Sequence, residues 1–100
     1  MQTDEALKVM ERFYSTLDRL IAFQAVNSIY DFCKRYEIPR NNFYGQRSDR
    51  TKSKFKPDWL SYLVRDFGIS GTWLLTGEGE MIRTGETWSQ LVDRLNSPRI

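Results

Sequence analysis

Arg40, Asn41 and Asn42 stand together in this chain, followed by Tyr44, Gln46 and Arg47 and then by Arg50, Lys52 and Lys54. Most of these side chains share one chemistry: hydrogen bonding to flat polar edges and to anionic oxygens. An arginine fork meets two acceptors in one plane, and a carboxamide donates and accepts side by side. Both suit nucleobase edges, arginine with guanine and asparagine or glutamine with adenine, each good pair giving about 1–3 kcal/mol of discrimination. Lysines on a flanking loop suit phosphate oxygens. From Lys34 to Lys56 eight cations stand against two anions, a local charge of +6. The chain's total is +2, so the remainder sums to −4. A positive segment on an otherwise acidic chain points to a polyanionic partner.

Other chemistries find little to work with. The chain has no histidine and a single cysteine, Cys33, so the usual general base, a cysteine-built zinc site and an internal disulfide are all lacking. Gly77-x-Gly79 has no preceding strand and no third glycine, which separates it from a dinucleotide loop. Neither catalysis, nor a cofactor, nor a metal, nor a small-molecule ligand is expected. No apolar run approaches the ~20 residues that span a bilayer. Met1 to Lys8 carries Asp4 and Glu5 and lacks signal-peptide character, so the expected location is the cytoplasm.

The elements that must position the polar cluster read as helices throughout. Leu7, Met10, Tyr14, Leu17 and Ile21, flanked by Phe13 and Leu20, recur at three- and four-residue steps and predict a helix over about 3–23. Ser28 can cap a second helix over 29–36 that buries Ile29, Phe32 and Cys33. Pro39 suits the first turn of a third, running to about Gln46 with Phe43 inward. Residues 47–56 read as a basic loop. Pro57 opens a fourth helix that buries Leu60, Leu63, Val64 and Phe67, and Gly68 ends it. Ser70 caps a short fifth, anchored by Trp73, Leu74 and Leu75 and closed by Gly77. Trp59 and Trp73 are expected in or beside the core. Gly85–Asn96 places Trp88, Leu91, Val92 and Leu95 on one further helical face, suited either to a homodimer seam or to folding back on the monomer's own core. The expected fold class is all-α: a five-helix domain over 1–81 with a C-terminal helical extension over 82–100.

The phrase Gly68-Ile69-Ser70-Gly71-Thr72-Trp73-Leu74-Leu75-Thr76-Gly77 closely resembles the closing helices of lambda-repressor-like (XRE-type) helix-turn-helix domains. The resemblance covers about Phe13 to Gly77. It matches Ser28 to the cap of the second helix, Phe32 and Cys33 to its core positions, Ile38 to the apolar turn residue and Phe43 to the buried position of the recognition helix. It implies sequence-specific binding of double-stranded DNA by Arg40, Asn41, Asn42, Tyr44, Gln46 and Arg47. Arg50, Lys52 and Lys54 would grip phosphates. It further implies a dimeric transcriptional regulator of phage or mobile-element type, a repressor in most such cases. The chain departs from the family at Ile29, where a phosphate-binding glutamine is common, at Glu37, where the turn usually has glycine, and in a longer loop after the third helix. The departures at Ile29 and Glu37 favour an alternative, a protein-interaction module (an antitoxin or phage accessory factor) that keeps the fold without specific DNA binding. The longer loop and the +6 segment oppose it, since they offer Arg50, Lys52 and Lys54 to phosphates. Single-strand binding through Phe43, Tyr44 and Phe55 would require those rings to be exposed.

Overall fold

Local capping chemistry sets where most of the helices begin and end. In a computed structural model that describes residues 3–51 and 54–96, the first helix, α1, spans Asp4–Ala22. The Thr3 hydroxyl accepts from the Ala6 N–H at 3.1 Å, and Asp4 and Glu5 occupy the first turn, where negative charge is favourable. Ser28 caps α2, Ile29–Arg35, in the same way through the Asp31 N–H. Next come α3 at Arg40–Ser48, α4 at Pro57–Phe67, α5 at Gly71–Thr76 and α6 at Trp88–Asn96. Among the described residues the only extended pairing is a single bridge between Ile69 and Ile82. The chain is all-helical, as expected. None of its described helices is long and apolar enough to cross a membrane.

The inward face of α1 is rotated from the expected stripe. Phe13, Leu17 and Leu20 are fully enclosed, while Leu7 and Ile21 are only half-buried. The reason is aromatic volume. Phe13 lies at the centre of the core, its ring 5.0–6.3 Å from those of Tyr14, Phe32, Phe43, Phe55 and Trp59, mostly edge-on, the arrangement aromatic rings prefer. Trp59 is likewise buried, and Leu60 and Val64 of α4 are left half-exposed.

The turn from α2 to α3 is made at a cost. Glu37 adopts φ 54°, a left-handed conformation in which a side chain costs about 1–2 kcal/mol relative to glycine. Neighbouring contacts hold it there. The Ile38 N–H returns to the Cys33 carbonyl at 2.9 Å, and Ile38 is buried. Tyr36 stacks on Tyr62 of α4 at 4.0 Å and donates its hydroxyl to Asp66 at 2.6 Å. Asp66 also accepts from Arg65, and these hydrogen bonds hold its carboxyl down to about pKa 2.

Gly68 closes α4 at φ 74°. A Cβ there would meet only the movable end of the Arg94 side chain at 2.9 Å, so it is the left-handed conformation that calls for glycine. Ser70 caps α5, and Gly77 ends it at φ 78°. Arg12 of α1 reaches over to donate to the Leu74 and Leu75 carbonyls at 2.7 and 3.1 Å, satisfying C-terminal acceptors that a six-residue helix leaves open. One expected anchor fails: Leu75 is 56 % exposed, and Leu74 carries the burial.

After Met81 the chain turns back instead of departing. The Ser70 N–H donates to the Met81 carbonyl at 2.8 Å and the Arg83 N–H to the Gly68 carbonyl at 2.9 Å, which buries Ile69 and Ile82 together. Thr87 and Gln90 exchange side-chain-to-backbone bonds at 2.9 and 3.1 Å. This reciprocal cap starts α6 at Trp88, three residues after the expected Gly85. The face offered as a homodimer seam is used within the monomer. Leu91 is fully buried, Trp88 stacks on Phe23 at 5.8 Å, and Leu95 packs against the same core; Val92 beside them is half-buried. Residues 82–96 thus share the core of residues 3–81.

Candidate nucleic-acid interface

Consecutive residues of a helix are about 100° apart, so burying Phe43 and Gln46, both at 0 % exposure, fixes what α3 turns outward. That face is Asn41, Tyr44 and Ser48, all exposed, with Gly45 between them. Arg40 lies at one flank and Asn42 at the other. Asn41 and Tyr44 therefore stand where the sequence places them. Ser48 joins this face because α3 runs past the expected end at Gln46: Gly45 does not end it, and the Asp49 N–H still bonds the Gly45 carbonyl at 3.0 Å.

Gln46 is the clearest correction. Its Oε1 accepts from the Tyr14 hydroxyl at 2.6 Å, and its Nε2 donates to the Arg50 carbonyl at 2.9 Å, with Met10 Sδ at 3.4 Å. Burial pushes the Tyr14 hydroxyl above its ordinary range, keeping it a donor. A buried carboxamide needs all its partners inside the protein, and α1 supplies them. Gln46 cannot reach a ligand.

Arg47 and Arg50 follow the same direction. Arg47 pairs with Asp18 at 3.2 Å, while Arg50 pairs with Glu11 at 3.0 Å, lies 4.3 Å over the Tyr14 ring, and donates to the Arg47 carbonyl. Glu11, Tyr14 and Asp18 form one stripe of α1, and Gln46, Arg47 and Arg50 form its complement. Both arginines belong to that seam instead of to the outward face of α3. Nothing short of the tertiary pairing reveals this, because Asp18 lies 29 residues upstream of Arg47 and Glu11 lies 39 residues upstream of Arg50.

The other expected contacts gather beside α3. Asn42 is half-buried and points its Nδ2 at the Lys54 carbonyl, a long contact at 3.5 Å that ties the loop back. Asn42, Lys54 and Lys56 line a cleft of about 330 Å³ together with Tyr36, Glu37, Asp58 and Tyr62. Lys52 lies outside the described residues. Arg35 is partly neutralised by Asp66 at 3.8 Å. The expected +6 field is therefore concentrated: Lys34, Arg40, Lys54 and Lys56 have no carboxylate within 4 Å among the described residues, whereas Arg35, Arg47 and Arg50 do.

Cys33 is enclosed, and burial raises its thiol pKa, as suits a packing residue. Among the described residues no three acidic or thiol side chains are placed to hold a metal ion. Tyr30, 45 % exposed on α2 beside Arg40, is the surface residue that sequence reasoning overlooked; its exposed aromatic ring carried no periodic signal. No protein-family model matches the chain, and comparison with curated proteins and with solved structures gives no significant match.

Proposed function

We propose that this protein is a sequence-specific double-stranded DNA-binding regulator of the repressor-like type. In that role α2 and α3 act as a helix-turn-helix, and α3 is the helix that enters the major groove. The observation that carries this is the outward face of α3. Asn41, Tyr44 and Ser48 project from a helix held from behind by Phe43 and Gln46, with Arg40 at its start and Lys54 and Lys56 lining the cleft beside Asn42. None of these cations has a carboxylate within 4 Å among the described residues. A rigid helix with a polar outer edge and flanking cations is what major-groove reading requires. Two copies on half-sites about one DNA turn apart belong to this proposal.

Selection from a random duplex pool, followed by anisotropy titrations of the selected duplex, tests it. The expected outcome is preferred binding to one family of sequences, with log K falling steeply and linearly against log salt. Failure to bind any duplex at about 50 mM salt, a concentration at which phosphate contacts are strong, would overturn it.

A second reading has one observation in its favour. Leu60, Val64, Leu74 and Leu75 line an apolar groove of about 400 Å³ between α4 and α5, a surface suited to a protein partner. If that is the main function, the pool selection yields nothing and the Leu75→Asp variant loses a protein contact.

A further inference from the structure

Arg40 does not extend freely from the start of α3. Its guanidinium carbon lies 4.6 Å from the centroid of the Tyr30 ring on α2. The pair sits in a shallow cleft of about 220 Å³ that Cys33, Lys34, Glu37 and Ile38 also line. Cys33 and Ile38 are buried and make an apolar floor. The rim carries two cations, Arg40 and Lys34, and neither has a carboxylate within 4 Å among the described residues, although Glu37 borders the same cleft. Stacking fixes the plane of a guanidinium while leaving its in-plane N–H groups available. In a helix-turn-helix the helix before the recognition helix lies across the nucleic-acid backbone. An arginine leaning on that helix is drawn away from the base edges and toward the strand.

We infer that this cleft is a site for one backbone phosphate of duplex DNA, held by Arg40 and Lys34, with the Tyr30 ring as the positioning element for the arginine. Arg40 then acts on the backbone, and base discrimination falls to Asn41, Tyr44 and Ser48. The inference rests on the DNA-binding function proposed above.

Anisotropy titrations of the full chain against its selected duplex and single-base variants of that duplex, over a range of salt, test it. Arg40→Ala and Lys34→Ala should each weaken every duplex by the same factor. Each should also lower the slope of log K against log salt by about 1, with the rank order of duplexes kept. Tyr30→Phe should bind like the wild type and Tyr30→Ala should lose affinity; equal loss in both overturns the positioning role of the ring. Arg40→Ala that abolishes preference at one base pair while leaving the salt slope unchanged overturns the phosphate assignment, and so does Arg40→Ala with no effect. A wild-type chain that binds no duplex refutes the function itself, and that is seen before any variant is made.

Discussion

The two faces of α3 are built from similar residue types and have opposite fates. Inward are Phe43 and Gln46, both fully buried; outward are Asn41, Tyr44 and Ser48. Each face has one aromatic ring and at least one polar side chain, so neither hydropathy nor hydrogen-bonding capacity separates them. What separates them is the presence of a partner. Tyr14, the Arg50 carbonyl and Met10 meet every polar atom of the Gln46 side chain, so a carboxamide can be buried there without an unmade bond. Among the described residues no such partner is supplied to Asn41. A polar residue on a helix is thus a ligand-binding candidate only after the protein's own donors and acceptors have been counted.

Breaking the inward pairing should have the largest effect. Gln46→Leu keeps volume but strands the buried Tyr14 hydroxyl without its acceptor and removes a donor to the part-buried Arg50 carbonyl, a loss of about 1–3 kcal/mol, read from urea denaturation. Adding Tyr14→Phe removes one of the stranded groups and should recover part of that loss. If the double variant is as unstable as the sum of the two singles, the Tyr14–Gln46 bond is not the link between α1 and α3.

Alkali should attack the same face by a second route. Burial raises the Tyr14 hydroxyl pKa in the folded protein above its ordinary value of about 10. Burial and the bond to Asp66 raise Tyr36 likewise. Below pH 10 both states hold these protons, and the stabilisation is intact. Above it the unfolded chain ionises first and stability falls, by at most about 1.4 kcal/mol per pH unit for each tyrosine. Tyr14→Phe should make the decline above pH 10 shallower. A decline of unchanged slope would mean that Tyr14 ionises freely in the folded state.

Most helix boundaries are legible in the sequence because their causes are local; the end of α3 and the start of α6 are the exceptions. Thr3, Ser28, Pro57, Gly68, Ser70 and Gly77 act within four residues of themselves, so each marks its helix wherever the rest of the chain lies. Periodicity located the core only in outline. It gave the relative angles of Phe13 and Leu17 but not which of them faces the other rings. Read from sequence alone, Gln46, Arg47 and Arg50 look like ligand contacts because their partners Glu11, Tyr14 and Asp18 are distant in sequence, and a charge can be counted before its neutraliser can be placed. The fate of α6 was open for the same reason, since an apolar face specifies that it must be covered but not by what.

The smallest effect on stability, and the one that sharpens the contrast most, is expected from the outward face. Asn41 and Ser48 are exposed, and neither takes part in a cap or an ion pair within the described structure. Exposed positions of this kind shift stability by no more than about 0.5 kcal/mol on substitution. Asn41→Ala and Ser48→Ala should therefore unfold like the wild type while altering the base preference found by duplex selection. Asn41→Ala should act at an adenine-bearing pair, since a carboxamide meets both the N6 donor and the N7 acceptor of that base. A variant that stays fully folded and changes preference at one position separates recognition from support within a single nine-residue helix. Unchanged preference in both variants would move the reading surface off this face altogether, and with it the distinction between what α3 shows the solvent and what it shows the core would lose its functional meaning.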